Sequence, residues 1–289
     1  MRGMAATGDM STLEASLPHE VLVVALVSSD VWTLGAVACS CRGLHDVVEE
    51  VLPHSARESL ARRCVAAGMQ HSAVVDAEGA LFSFGTDATR RGFLGHGPAD
   101  RVLAPTRVPA AGVRFISVAT HSFHTLALTA GGAVYSFGHG GCGQLGHGDE
   151  ASLSAPRRVE ALAAVRAVAV AAGQQHSLVL SDCGTPYAFG SGFGGKLGLG
   201  DQRPRAVPTR VEALAASPLR AIAAGSHHSL AATREAGDVY AFGSNASFQL
   251  GLGTRTDAHA PRRVEALRGV RVAHLAGGEH HSLAVDDAG

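Results

Sequence analysis

The protein has 289 residues and a formal net charge of −1; 46% of the residues are hydrophobic, 17% are charged, and 36 are glycine. Glycine is above its average share of about 7%, and charged residues are below their average of about 25%. This composition excludes a disordered chain and indicates a folded protein with many tight turns. A balanced charge provides no global field toward phosphates, so neither nucleic acid nor a membrane is an expected partner.

The N-terminus and the cysteines indicate where the protein works. Asp9 and Glu14 interrupt the first twenty residues, which lack the apolar core of a signal peptide. The apolar run from Val21 to Val27 is far shorter than the ~20 residues that span a bilayer. Of the five cysteines, Cys39 and Cys41 form a pair without a second pair at zinc-binding spacing. We therefore expect free thiols, no metal, and an intracellular location in the cytoplasm or nucleus.

A repeat of 52 or 53 residues organises the chain from residue 65 onward. One column of the repeat is His71, His124, His176, His228 and His281. A second column, preceded by phenylalanine, is Gly85, Gly138, Gly190 and Gly243. Each unit contains roughly four short segments rich in valine, leucine and aromatic residues, bounded by Gly, Asp or Pro, as is typical of strands. Four short strands in a repeat of this length predict one blade of a β-propeller.

The consensus sequence of the units resembles the regulator of chromosome condensation repeat family. Its motifs are AAGxxHSLxL, then VYSFGxxxxGQLGxG, then PxRVEAL. The resemblance implies a propeller of seven blades of about fifty residues. We therefore predict a mainly β fold with propeller repeats over 65–289. The full units are 65–117, 118–169, 170–222 and 223–275, and 276–289 is part of a fifth. Truncation from seven blades is favoured over a closed ring of four to five blades or closure by self-association.

The residues before the repeats have a different character. Residues 1–16 are predicted to be a flexible tail, and 17–64 to form three short helices without glycine punctuation. The opening Leu-Pro-x-Glu and the apolar positions after it resemble an F-box. In that family the matching positions bind a Skp-type adaptor of a cullin ubiquitin ligase; here they are Leu17, Pro18, Glu20, Val21, Leu22 and Leu26. A helical cap against the propeller remains the alternative.

Several sequence patterns suggest nucleotide binding, metal binding or catalysis, but the repeat gives each of them a structural explanation. Residues 190–196 match GxxxxGK, but no helix is predicted after them, and two other units have glutamine, Gln144 and Gln249, in place of Lys196. One histidine per blade does not converge on a metal ion, so we expect each imidazole to bind a neighbouring blade's backbone. No nucleophile elbow is present. The sequence predicts no catalytic residue, no cofactor and no enzyme.

Three interpretations of the function remain. The first is a substrate receptor of a cullin-type ubiquitin ligase, with the F-box-like segment on the adaptor and the blade loops on an unknown target. The second is an exchange factor or regulator for a Ran-type small GTPase, and the third is a scaffold. Photoreception as in the plant ultraviolet-B receptor branch is excluded, because the only tryptophan, Trp32, lies outside the repeats. Loop residues that vary between units are the candidate partner-binding positions, namely Phe123, His139, Phe193 and Phe248.

Overall fold

The computed structural model describes residues 64–286, which form five antiparallel sheets in chain order. The strands of the first sheet are β1 (Val65–Ala67), β2 (His71–Val75), β3 (Leu81–Thr86) and β4 (Arg101–Arg107). Those of the second are β5 (Phe115–Thr120), β6 (His124–Thr129), β7 (Val134–Gly138) and β8 (Leu153–Arg158). The F-box-like segment, its six adaptor-binding positions and the predicted tail lie outside the described residues.

The third and fourth sheets repeat this arrangement, and the fifth has two strands within the described residues. The third contains β9 (Ala167–Ala172), β10 (His176–Ser181), β11 (Pro186–Gly190) and β12 (Arg205–Arg210). The fourth contains β13 (Leu219–Ala224), β14 (His228–Thr233), β15 (Val239–Gly243) and β16 (Ala258–Arg263). The fifth contains β17 (Val272–Gly277) and β18 (Ser282–Asp286). Short 3-10 turns are Glu160–Leu162, Phe193–Gly195, Glu212–Leu214 and Glu265–Leu267.

Each four-stranded sheet is a meander in which consecutive strands pair. The first strand of each sheet contacts the first strand of the next, from β1 through β5, β9 and β13 to β17, so these strands form the inner side of the array. The fourth strands form its outer rim, where nearly all of their residues are exposed or half-buried. This is the blade arrangement of a propeller, and the prediction of a mainly β fold with one sheet per repeat is confirmed.

Apolar side chains fill the space between neighbouring sheets. Leu126 and Leu128 of the second sheet pack in one cluster with Val179 and Phe189 of the third. The phenylalanines that precede the glycine column are buried in all four sheets, at Phe84, Phe137, Phe189 and Phe242. Burying a side chain of this size stabilises the folded state by about 1.5 to 3 kcal/mol, so contacts between sheets are a main source of stability.

The glycine column is required where the second and third strands meet. Gly190 pairs with His176 and has a φ of 103°, and a Cβ there would lie 2.4 Å from the carbonyl oxygen of Gln175. The same close approach recurs at Gly85, Gly138 and Gly243, with Cβ distances of 2.3 to 2.6 Å to the equivalent carbonyl. A residue with a side chain would force these strands apart, which explains the glycine in every unit.

The histidine column joins each sheet to the next one. His124 Nε2 lies 2.8 Å from Ser177 Oγ, and that hydroxyl donates to the carbonyl of Gln144, 2.8 Å away. His176 makes the same contact with Ser229 at 2.9 Å, and Ser229 donates to the carbonyl of Lys196. We call this arrangement the histidine bridge. It consists of a histidine of one sheet, a hydroxyl of the next sheet and a loop carbonyl of the sheet that carries the histidine. The immediate partner is therefore a side-chain hydroxyl, where we expected backbone.

The bridge recurs at both ends of the array with small variations. His228 Nε2 lies 2.9 Å from Ser282 Oγ, and Ser282 donates to the carbonyl of Gln249. His71 contacts two hydroxyls of the second sheet, Thr120 at 2.6 Å and Thr125 at 3.1 Å. The fifth histidine of the column, His281, directly precedes β18, and its carbonyl accepts the N–H of Gly278.

The bridge fixes the protonation state of its histidines. Because Ser177 and Ser229 donate to carbonyl oxygens, each hydroxyl accepts from the imidazole, which places the proton on Nε2. Burial disfavours the cationic imidazole and lowers the pKa of His71 to about 4, that of His124 to about 3 and that of His228 to about 4. The pKa of His176 also lies well below its ordinary value, because of burial and nearby Lys196. These four histidines are neutral at pH 7.

Removing one bridge hydroxyl tests its energetic role. We expect Ser229→Ala to lower the free energy of unfolding by about 1 to 3 kcal/mol, because the His176 N–H and the Lys196 carbonyl both lose a buried partner. Urea denaturation measures the change. The matched control is Ser247→Ala, an exposed serine whose hydroxyl is outside the bridges. Equal stability of the two variants would contradict a stabilising bridge.

The lowered pKa values predict a loss of stability in acid. The unfolded chain takes up protons on these histidines below pH 6.5, whereas the folded state does so only near pH 4 or lower. Their contribution is therefore complete above pH 6.5 and is lost as the pH falls toward 4, by about 2 kcal/mol at pH 5 for each of His71, His124 and His228. Urea unfolding at pH 7.5, 6 and 5 measures this. A free energy of unfolding that does not change over that range would contradict it.

Candidate functional site

The long loops of the array lie at one end of the sheets. Residues 87–100, 139–152, 191–204 and 244–257 connect the third and fourth strands of sheets one to four. They emerge beside the glycine column, at the end where the histidine bridges join neighbouring sheets. We call this end, formed by the four loops and the turns before β2, β6, β10 and β14, the loop face. All four candidate partner-binding residues from the sequence lie on it.

Phe123 and His139 are brought together at the junction of the first two sheets. Their ring centroids are 6.3 Å apart, and Phe123 also lies 5.6 Å from the buried ring of Phe93 in the first sheet. The Arg91 guanidinium donates to His139 Nε2 at 2.8 Å, and the side-chain nitrogen of Gln144 lies 3.0 Å from His139 Nδ1. Burial and the guanidinium of Arg91 lower the pKa of His139. Both residues are half-buried, so their contacts serve mainly to join two loops.

Phe193 and Phe248 are the exposed aromatic residues of the loop face. Phe193 begins a 3-10 turn in the third loop, and 71% of it is exposed. Phe248, in the fourth loop, is 51% exposed, and the guanidinium of Arg255 lies 4.7 Å from its ring centroid. A partly exposed ring with a cation over one face is a contact of the kind that protein interfaces use.

Phe248 occupies a position that holds glycine in the other three loops. Gly92, Gly143 and Gly195 have φ values of 78° to 85°, and Phe248 has a φ of 61°. A Cβ at these glycines would lie 2.3 to 2.6 Å from the fourth strand of the next sheet. Phe248 has the left-handed backbone of those glycines although it carries a side chain. This left-handed conformation costs a non-glycine residue about 1 to 2 kcal/mol, which marks Phe248 as a candidate functional residue.

A histidine that sequence reasoning missed lies on the inner side of the loop face. His121 stands where the other units have Gly68, Gly173, Gly225 and Gly278. Its Nε2 lies 3.3 Å from Ser226 Oγ, which joins the second sheet directly to the fourth. Burial and His227 lower the pKa of His121, while Glu279 opposes the shift. A comparison between units of the residue three positions before each column histidine is the signal that could have found it.

The GxxxxGK match is part of a bridge and has no exposed lysine. Lys196 is 1% exposed, burial lowers its pKa, and its carbonyl accepts from Ser229. The residues after it form a turn and lead to β12 without a helix. Within the described residues, His, Cys, Asp and Glu side chains form no group of three that would hold a metal ion. No helix in residues 64–286 is long and apolar enough to cross a bilayer.

Comparisons with known proteins agree with this architecture. The chain is 35% identical over 227 residues to the ultraviolet-B receptor UVR8 of Arabidopsis thaliana, covering 78% of this chain and 51% of that protein. It is 39% identical over 223 residues to the E3 ubiquitin-protein ligase HERC2 of Mus musculus, covering 76% of this chain and 4% of that protein. The chain thus spans about half of one relative and a small part of the other.

Two solved structures share the fold at similar coverage. Human WBSCR16 superposes with a TM-score of 0.69 at 26% identity, over 77% of this chain and 57% of that one. Prp20p of Saccharomyces cerevisiae, whose binding to Gsp1p and histones was studied, superposes with a TM-score of 0.67 at 25% identity, over 78% and 56%. The family model of the RCC1-like domain matches residues 30–289. The chain belongs to the RCC1-like domain family.

Proposed function

We propose that the protein is the substrate receptor of a cullin-type ubiquitin ligase, in which the loop face binds the target. The observation that supports target binding is the exposure of Phe193 and Phe248 on adjacent loops of one face. Phenylalanine and arginine are both enriched in protein interfaces relative to the rest of the surface. Bridged sheets beneath the loops limit the conformational entropy lost when a partner binds.

The adaptor half of the proposal rests on the sequence. The Leu17-Pro18 opening of the F-box-like segment would dock a Skp-type adaptor, so that the chain links the adaptor to the target. The mechanism is then proximity, because the receptor holds a target lysine near a ubiquitin carrier and performs no bond chemistry itself. The similarity to HERC2 concerns only 4% of that ligase, so it supports the repeat domain and not a ligase activity of this chain.

A second candidate function is regulation of a Ran-type small GTPase. It is favoured by the similarity to Prp20p, which was studied for its binding to Gsp1p. In this function the same loop face would contact the GTPase and open its nucleotide site. If the protein is instead a scaffold without either activity, it would bind its partner through the same loop face. Photoreception is not proposed despite the similarity to UVR8, because the single tryptophan, Trp32, lies outside the repeats.

Co-purification with a Skp-type adaptor tests the proposed function. We expect the full chain to bind the adaptor at one to one by light scattering, and Leu17→Ala/Pro18→Ala to lose it. The matched control is Phe193→Ala/Phe248→Ala, which changes the loop face and is expected to retain the adaptor. If neither the wild type nor the control binds, the receptor proposal is wrong. Acceleration of nucleotide release from a Ran-type GTPase by the wild type, lost in the loop-face variant, would then support the second candidate.

A further inference from the structure

A pocket of about 270 Å³ lies at the end of the first sheet opposite the loop face. It is formed by the turn before β3 and by the connection from β4 to β5. Arg107 ends β4, Arg114 directly precedes β5, and both line the pocket together with Glu78. The pocket therefore carries a formal charge of +1. The equivalent positions in the other three four-stranded sheets show that it lacks a glutamate two residues after Arg107.

The other three four-stranded sheets neutralise the arginine that corresponds to Arg107. Each arginine lies at the end of the fourth strand, opposite a tyrosine, and pairs with the glutamate two residues later. The Nε to Oε1 distances are 4.0 Å in Arg158–Glu160, 3.5 Å in Arg210–Glu212 and 2.9 Å in Arg263–Glu265. The glutamate also begins the 3-10 turn that leads to the next sheet. The ion pair is thus a regular feature of the rim.

The first sheet keeps the arginine and replaces the glutamate. Arg107 lies opposite Phe82 in the same register, but Pro109 stands at the glutamate position. Within residues 64–286, neither Arg107 nor Arg114 forms an ion pair, although Glu78 lines the same pocket. Both arginines are exposed, so their guanidinium groups are accessible to a partner. A turn at Gly112, with a φ of 73°, takes the place of the 3-10 turn and leaves the pocket open.

We propose that this pocket binds an aspartate or glutamate side chain of a partner protein, which takes the place of the missing glutamate. The ligand is a carboxylate because that group occupies the same position in the three neighbouring sheets. The planar guanidinium presents two parallel N–H donors that match the two carboxylate oxygens. Because the pocket and the loop face lie at opposite ends of the sheets, this binding site does not depend on the proposed function.

The expected contribution of the pocket is modest and sensitive to salt. Exposed ion pairs contribute little individually, and a second guanidinium adds attraction without additional burial. One bound carboxylate therefore serves mainly to orient an acidic segment on the rim and to speed its association. Screening by salt reduces such an interaction between exposed charges.

Nuclear magnetic resonance of the arginine side chains tests the proposal on the full chain. The probe is a capped hexaglutamate peptide at low ionic strength, followed through the Nε–Hε signals. We expect saturable shifts at Arg107 and Arg114, and smaller shifts at the paired Arg158, Arg210 and Arg263. Pro109→Glu supplies the internal carboxylate and is expected to weaken peptide binding about fivefold, as is Arg107→Gln. The matched control, Arg158→Gln, removes an arginine that is already paired and should leave binding unchanged.

Three results of the peptide titrations would overturn the proposal. The first is an absence of saturable shifts, and the second is equal shifts at all the rim arginines, which would indicate nonspecific attraction. The third is unchanged peptide affinity in Pro109→Glu when its spectrum shows a folded protein. A titration with inorganic phosphate identifies the alternative ligand. Saturable shifts with phosphate but not with the peptide would indicate a phosphate ligand and contradict the proposed carboxylate.

Discussion

The histidine bridge is the interaction on which the rest of the structure depends. In each bridge a neutral imidazole donates to a hydroxyl of the next sheet, and in three of them that hydroxyl donates to a loop carbonyl of the sheet that carries the histidine. Apolar packing between sheets is nondirectional and tolerates sliding, whereas buried hydrogen bonds fix the alignment of neighbours. The bridge therefore sets the position of each sheet and ties the base of the loop to the sheet that follows.

This constraint separates what must recur from what is free to vary. The bridge and the close approach of strands at Gly190 and its equivalents fix histidine, hydroxyl and glycine in each unit. The loop tips beyond them meet few such demands and carry different side chains, including Phe193 and Phe248. A repeating scaffold with varied tips is suited to recognising a partner, because rigid elements position loops whose chemistry differs from one blade to the next.

The sequence allowed the fold to be predicted because its period placed strands, turns and the histidine column directly. It did not identify the bridge hydroxyl, because a contact between units 53 residues apart leaves no periodic signal beyond the serine or threonine after each histidine. Phe248 was noted as a variable loop residue, but its left-handed backbone became clear only beside Gly92, Gly143 and Gly195. The change from glutamate to Pro109 is visible in the sequence, whereas the pocket that it leaves depends on how two sheets meet.

The histidine bridge is tested most directly by measuring the tautomer and charge of its histidines. Long-range nitrogen–proton spectra at pH 6 distinguish a neutral ring with its proton on Nε2 from a cation or the other tautomer. We predict the neutral Nε2–H form for His124, His176 and His228, because each donates to a hydroxyl of the next sheet. Protonated rings at that pH, or rings with the proton on Nδ1, would contradict the bridge and the alignment of sheets that it explains.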